Sequence, residues 1–454
     1  MPVHRRRLTV VLALVAAAGG IAAVAASRET TPAPRTKPAA TAAAPTWFGD
    51  VKSIVDGRCA GCHRLGGIAP FSLTSFEAAR THRTEVADAV SRRLMPPWHA
   101  QRGVRRYLHD PSLTAAQVSA IVRWAKAGAP RGDAAHAKPA LASVAPAMTR
   151  VDRRIRLAQP YTPKGWLPGG DDYHCFVVPW TGDRTRYVTG FNAIPGVSKE
   201  VHHIIVFVAT PTDAATVDGW DAAEAGPGYR CYGGASAVGA RTIPVRLLAG
   251  WAPGLAGGDF PAGTGIEVPP GSRLILQFHY NLAHAHMTGG PKPDRSTLEF
   301  EVADSVARRA AMLPIVDLGW IVAPATFAIP ANGRRVQHSW HGDPAFLARF
   351  FGGGIDFDAG VTVEGVILHM HRLGLSGAVT LRHASGTVET LLRVPHWDFD
   401  WQRAYFLADP PTFRTGDRLG VSCTHRNTTG RTITWGESSS DEMCFGFAYV
   451  AERP

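Results

Sequence analysis

The stretch Gly360-Val361-Thr362-Val363-Glu364-Gly365-Val366-Ile367-Leu368-His369-Met370-His371 carries apolar and β-branched side chains at short, alternating spacing. That is the pattern of a strand packed against a second layer. Side chains two apart on a strand share a face, so His369 and His371 are expected to point together while Met370 points away. Similar runs occur at Val201 to Ala209, Ser272 to Tyr280 and Ile433 to Val450, broken by Gly and Pro between them. They predict strands of an all-β sandwich. The roughly 300 residues beyond Val151 exceed one sandwich, so two are expected, over 151–305 and 306–454.

Toward the N-terminus the pattern becomes helical. Phe48 to Val55, Phe76 to Leu94 and Leu113 to Ala127 carry apolar residues at helical spacing, with Thr114 placed to cap the last. This all-α domain is assigned to 47–132, between Pro/Ala-rich linkers at 27–46 and 133–150 that hold too few large apolar residues to fold. Arg5, Arg6 and Arg7 precede an apolar run from Leu8 to about Ala26, which predicts a signal peptide over 1–26 and an exported chain. Retention of the run as an uncleaved membrane anchor is the alternative.

The net charge of +11 comes from Lys and Arg scattered through 454 residues. No basic block or aromatic-studded stripe is present, so nucleic acid is not an expected partner. Of the six cysteines, Cys59 and Cys62 belong to the motif described next. Cys175, Cys231, Cys423 and Cys444 form an even set suited to two disulfides in an oxidising compartment. Three pairings are open; Cys175 with Cys231 and Cys423 with Cys444 would close the shorter loops within each half.

Cys59-Ala60-Gly61-Cys62-His63 is a covalent haem-attachment signature. Two thiols three apart add to the two vinyl groups of one haem, and the next histidine becomes an axial iron ligand. A disulfide or a zinc half-site is the bland alternative, but no second Cys pair lies nearby to complete a zinc set. Met95, in Leu94-Met95-Pro96-Pro97-Trp98, is the expected sixth ligand, with His99 as competitor. The segment resembles class I cytochrome c domains through Gly67-Ile68-Ala69-Pro70-Phe71-Ser72-Leu73 and Met95-Pro96-Pro97-Trp98-His99.

A second redox signature is spread over the β region as His202-His203, His279, His369-Met370-His371 and Met443. Imidazoles with one thioether suit copper cycling between its two common states, because sulfur favours the reduced ion and nitrogen serves both. Adjacent His202 and His203 point oppositely on a regular strand, so joint ligation requires a local distortion or the use of different ring nitrogens. Singly, each histidine is more often structural than a ligand. His284, His286, His338 and His341 read as loop or pocket-lining residues.

In order, Val201-His202-His203-Ile204, Leu276-Gln277-Phe278-His279-Tyr280-Asn281, Leu368-His369-Met370-His371 and Asp441-Glu442-Met443-Cys444 resemble the copper type II, ascorbate-dependent monooxygenases, the family of peptidylglycine hydroxylase and dopamine β-monooxygenase. Asp172-Tyr173-His174-Cys175 and Gly250-Trp251-Ala252-Pro253 extend the resemblance to about residues 160–452. It implies two jelly-roll-like sandwiches facing each other across an open cleft. It also implies that His202, His203 and His279 hold an electron-storing copper, and that His369, His371 and Met443 hold the catalytic, oxygen-binding copper beside substrate. Cys423 and Cys444 match a family disulfide placed against Met443. The peptide-amidating members grip a carboxylate with an Arg and with Asn and Tyr at positions occupied here by Ile367, Phe445 and Phe447. Loss of that clamp implies a small apolar or aromatic substrate, since an unpaired charge buried there would cost roughly several kcal/mol.

The expectation is therefore a multidomain chain, an all-α cytochrome c domain followed by two all-β jelly-roll-like domains. It would bind two copper ions and one covalently attached haem c, and act as an exported monooxygenase that hydroxylates a C–H bond with dioxygen. Hydroxylation consumes two electrons beyond those of the substrate, for which the tethered haem, ascorbate or a redox protein is the expected donor. The rival reading is a non-catalytic copper-binding or electron-transfer protein.

Overall fold

A computed structural model describes residues 43–67, 69–144, 146–253, 257–283, 285, 289–350 and 355–453. The expected signal or anchor segment, nearly all of the first linker, and His284 and His286 lie outside the described residues. Among the described residues no helix is long and apolar enough to cross a membrane.

The chain is mostly β-sheet, with its longest helix near the N-terminal end of the described region. A π-helical turn, Trp47–Val51, runs into the helix Lys52–Arg58, followed by Phe76–Thr81, Arg83–Ser91 and Ala115–Lys126. The last begins at a capping box: Gln117 N–H donates to Thr114 Oγ1 at 3.2 Å, and Thr114 N–H donates to Gln117 Oε1 at 2.8 Å. These bonds satisfy donors that a helix start otherwise leaves orphaned. Ile121 and Trp124, three apart and fully buried, meet Trp47, Val51, Ile54 and Val55 in one small core. The sequence pattern suggests one helix from Phe76 to Leu94, whereas the structure breaks it at His82, whose φ and ψ of −95° and 16° leave the helical path. The His82 ring stacks on Phe71 at 3.9 Å, and Phe71 in turn meets His63 at 5.0 Å.

In the first β half, Asp171–Pro179, Arg273–Asn281, Val201–Ala209 and Arg246–Trp251 lie side by side, all antiparallel. Their inward faces place Ile204, Val206, Val208, Leu274, Leu276 and Phe278 in a common core. In the second half, Val361–His369 pairs with Phe445–Glu452. This pair packs over a four-stranded sheet in the order Arg335–Gly342, Arg418–Arg426, Gly374–Arg382, Val388–Val394. Val366 and Leu368 enter the core between the layers with Val379, Leu381, Leu392 and Val421. The two halves are joined by hydrogen bonding as well as by chain: Arg308–Ile315 pairs with Phe445–Glu452 on one side and with Thr264–Val268 and Arg246–Trp251 on the other.

The Ile433 to Val450 reading is corrected, because its strand starts only at Phe445. Residues 436–442 are mostly polar and form a loop whose Ser438 and Ser439 bond to Asp171 instead of to a neighbouring strand. Both disulfides occur, Cys175–Cys231 and Cys423–Cys444, each within one half.

Candidate metal centres

His202 and His203 lie at the start of their strand, where the register against Arg273–Asn281 shifts between Val201 and His203. The extra residue rotates one side chain, so both imidazoles reach the side on which His279 stands. His203 Nδ1 lies 3.3 Å from His202 Nδ1 and 3.4 Å from His279 Nδ1. One ligand atom from each of the three residues falls within 4.8 Å of the others. Three ring nitrogens turned toward one point suit a cation, which accepts their lone pairs together. Burial, then the neighbouring histidines, push His202 and His203 well below the ordinary imidazole range, which keeps those lone pairs free of protons.

The far side of His279 is fixed. Tyr173 stacks on its ring at 4.1 Å, and Asp171 Oδ1 stands 3.1 Å from Nε2, close but out of line for a hydrogen bond. Burial raises the Asp171 carboxyl, but the adjacent His279 ring and the bonds from Ser439 outweigh it and hold the group below the usual carboxylate range.

His369 ends the Val361–His369 strand and His371 follows just beyond it, with ring centroids 5.1 Å apart. Met370 between them is fully buried in the sandwich core. His369 Nδ1 is 2.6 Å from Gln402 Oε1. The Gln402 amide NH₂ donates to Phe399 O at 3.0 Å, which turns its oxygen toward His369, so His369 Nδ1 is the donor and Nε2 carries the lone pair. His371 Nδ1 lies 3.2 Å from the Asp441 carbonyl, which only accepts, leaving its Nε2 equally available. Burial, then His369, lowers His371 to about 3.

Met443 is tied to His371 at the backbone, through Glu442. The amides of His371 and Met443 donate to one carboxylate oxygen, Glu442 Oε2, at 3.0 and 3.1 Å, and Leu373 N–H donates to the other. His425, fully buried, bonds to the Met443 carbonyl at 3.1 Å, and the Cys423–Cys444 bridge adjoins it. A fully buried carboxylate thus clamps the backbone of both residues. Glu442 and Gln402 were not singled out from sequence. Glu442 stands beside the methionine, but a loop glutamine carries no periodic or motif signal.

The helical region holds a further group of chemistry-bearing residues. Cys59 follows the helix Lys52–Arg58, and the amides of Cys62 and His63 both turn back to the Cys59 carbonyl, at 3.1 and 2.9 Å. The two thiols are not bonded to each other. Burial pushes Cys59 up to about 12 and raises Cys62 as well. His63 Nδ1 donates to the Phe71 carbonyl at 3.1 Å, so its Nε2 is free to ligate. Met95 packs against the helical core together with Cys59 and Phe71. His99 turns to the β region, where it meets the Trp401 backbone. Of the weaker histidines, His338 stacks on Phe327 at 3.9 Å, and His341 lies beside Thr380.

Around His369 the sheet face is apolar. Phe445 is directly opposite His369 and Phe447 opposite Ile367, with the two Phe rings 4.6 Å apart. A cavity of about 110 Å³ opens beside Ile367, lined also by Met312, Trp251, Phe260, Trp98 and Arg403.

Residues 354–452 match the model of the copper type II ascorbate-dependent monooxygenase C-terminal domain. The chain is 34% identical over 104 residues to the chicken (Gallus gallus) protein called DBH-like monooxygenase protein 1, a match spanning 22% of this chain and 16% of that relative. The similarity to copper monooxygenases is thus shown over the second β half. Among solved structures, the major capsid protein P2 of bacteriophage PM2 aligns over 66% of this chain and 97% of its own, at 10% identity and a TM-score of 0.22. An infectious bursal disease virus structure, strain Gx, aligns over 68% of this chain and 73% of its own, at 9% identity and a TM-score of 0.18. Neither constrains the fold.

Proposed function

We propose that this chain is an exported copper-dependent monooxygenase that hydroxylates a C–H bond of a small apolar or aromatic substrate with dioxygen, and that its CxxCH segment is a cytochrome c domain supplying electrons. The observation that carries this reading is the convergence of His202, His203 and His279 on one point, with His369 and His371 as a second close pair of buried imidazoles whose Nδ1 atoms are both engaged. His371 is tied through Glu442 to Met443.

His202, His203 and His279 would hold one copper, and His369, His371 and Met443 the other. Cys59, Cys62, His63 and Met95 would hold a haem c. Copper supplies one-electron redox change and dioxygen activation, and haem supplies reversible one-electron storage. The protein's own part is orientation. Gln402 and the Asp441 carbonyl fix the His369 and His371 tautomers, Glu442 joins the His371 and Met443 backbones, and Tyr173 with Asp171 fixes His279. Ile367, Phe445 and Phe447 offer no partner for a substrate carboxylate and exclude water from the neighbourhood of His369, which favours an apolar substrate. The two disulfides suit the oxidising compartment to which export would carry the chain.

Metal and haem analysis of the purified chain tests the proposal. Two tightly held coppers and one haem are expected, with dioxygen uptake that requires substrate. Copper surrendered at once to a chelator, with no dioxygen uptake, would assign the site to copper carriage instead. Unchanged activity after His63→Ala would remove the haem from the reaction.

A further inference from the structure

Residues 396–405 touch the helical region at Pro97 and Trp98, and both histidine sets, within one short stretch. Gln402 holds His369 Nδ1. Phe399 stacks on His202 at 4.7 Å and meets His371 edge-on at 6.1 Å, so its ring stands between the two sets. Trp397 Nε1 donates to the His371 carbonyl at 3.0 Å. The next residue after Gln402, Arg403, lies over the Trp98 ring at 5.3 Å and reaches the Pro97 carbonyl at 3.5 Å, and Tyr405 packs edge-on to Trp98 at 4.9 Å. Adjacent residues of one loop thus grip a candidate metal ligand on one side and the chain following Met95 on the other. Arg403 is largely desolvated, and burial lowers its pKa. A guanidinium stacked on an aromatic face and bonded to a backbone carbonyl is a stiff anchor.

We propose that residues 396–405 are a connector through which the helical region positions the His369 set, with Gln402 as the positioning residue of His369 and Arg403 as the anchor. The proposal rests on the reading of the sets as copper ligands only in its second test below. Its first consequence concerns the metal-free chain: the Gln402 oxygen selects the His369 tautomer protonated at Nδ1. Its second is that a change at Arg403, which touches neither histidine set, alters the copper held by His369 and His371.

Nitrogen-15 NMR of histidine-labelled, metal-free protein is expected to show His369 protonated at Nδ1, a mixture of tautomers in Gln402→Leu, and restoration in Gln402→Glu. An unchanged tautomer in Gln402→Leu overturns the positioning role, whether or not copper binds. In copper-loaded protein, Gln402→Leu and Arg403→Met are each expected to shift the same one of two cupric EPR signals and weaken that copper about 10- to 100-fold. Arg403→Lys, which keeps the cation, should restore most of the loss and shows that the fold survives. Two coppers bound as in the parent in Arg403→Met would overturn the connector and leave the copper reading standing. Absence of copper from the parent would overturn that reading, and the tautomer would still decide the role of Gln402.

Discussion

A histidine becomes a usable ligand by what its other nitrogen does, and here that nitrogen is occupied in three ways. The Phe71 carbonyl serves His63, the Asp441 carbonyl serves His371 and the Gln402 amide serves His369. The ligand candidates were legible in the sequence because chemistry demands their residue types; the partners were not, because any carbonyl brought near by the fold will do. Asp171 stands beside the second nitrogen of His279 and carries several other bonds. It accepts from Asn281, Ser438 and Ser439, and so ties the His279 strand to the loop before Met443. Asp171→Ala strands those buried donors and removes the carboxylate beside His279. A loss of about 2–4 kcal/mol in urea unfolding is expected. Asp171→Asn, which retains an acceptor, should lose less. Equal stability of Asp171→Ala and the parent would show that the serines and Asn281 find other partners.

At the scale of elements, local rules succeed where one rule acts alone. The Thr114 cap and the Ala115–Lys126 helix follow from a capping pattern ahead of apolar residues at helical spacing, and Thr114→Ala is expected to cost about 1 kcal/mol in thermal or urea unfolding. Val361–His369 follows from alternation, as does the burial of Met370 between two histidines. Errors arise where a side chain competes with the backbone. His82 interrupts a helical pattern to stack on Phe71, and the serines after Trp435 spend their hydrogen bonds on Asp171 rather than on a strand. Short bulges are equally silent, and the register shift that brings His202 and His203 to one side leaves no trace in residue type. The Cys423–Cys444 bridge closes a separation of 21 residues beside Met443. Replacing both cysteines by alanine should lower stability by roughly 3 kcal/mol and, because Met443 is then held by Glu442 and His425 alone, weaken the copper proposed for the His369 set before that proposed for the His202 set. Metal titration of the two sites, with circular dichroism on the same samples, separates the two effects.

Across the whole molecule, the helical region is fastened to the second β half rather than merely tethered to it. Tyr107 OH donates to the Leu391 carbonyl at 2.9 Å, Gln101 N–H to Arg393 O at 2.7 Å, and Arg105 pairs with Glu389 at 3.0 Å. No periodicity or motif announces such a contact, since it depends on where segments distant in sequence meet. Glu389 also serves His383, whose other ring nitrogen meets Asp417, at 2.7 and 3.2 Å. Both ring nitrogens face carboxylates, so the protonated ring is favoured, and the Glu389 bond foremost raises the His383 pKa above 6.5. A histidine with a raised folded pKa stabilises the fold fully below its unfolded value and loses that contribution as pH rises through the folded value. His383→Gln should therefore be less stable than the parent below about pH 6.5, by under about 1 kcal/mol because the ring is partly solvated, and the gap should close as pH rises into the alkaline range. Urea midpoints of both proteins between pH 5 and about 9 measure that gap. A constant difference would show that His383 acts by packing alone, and that the charge shared by Arg105, Glu389 and His383 contributes nothing to holding the helical region against the sheet.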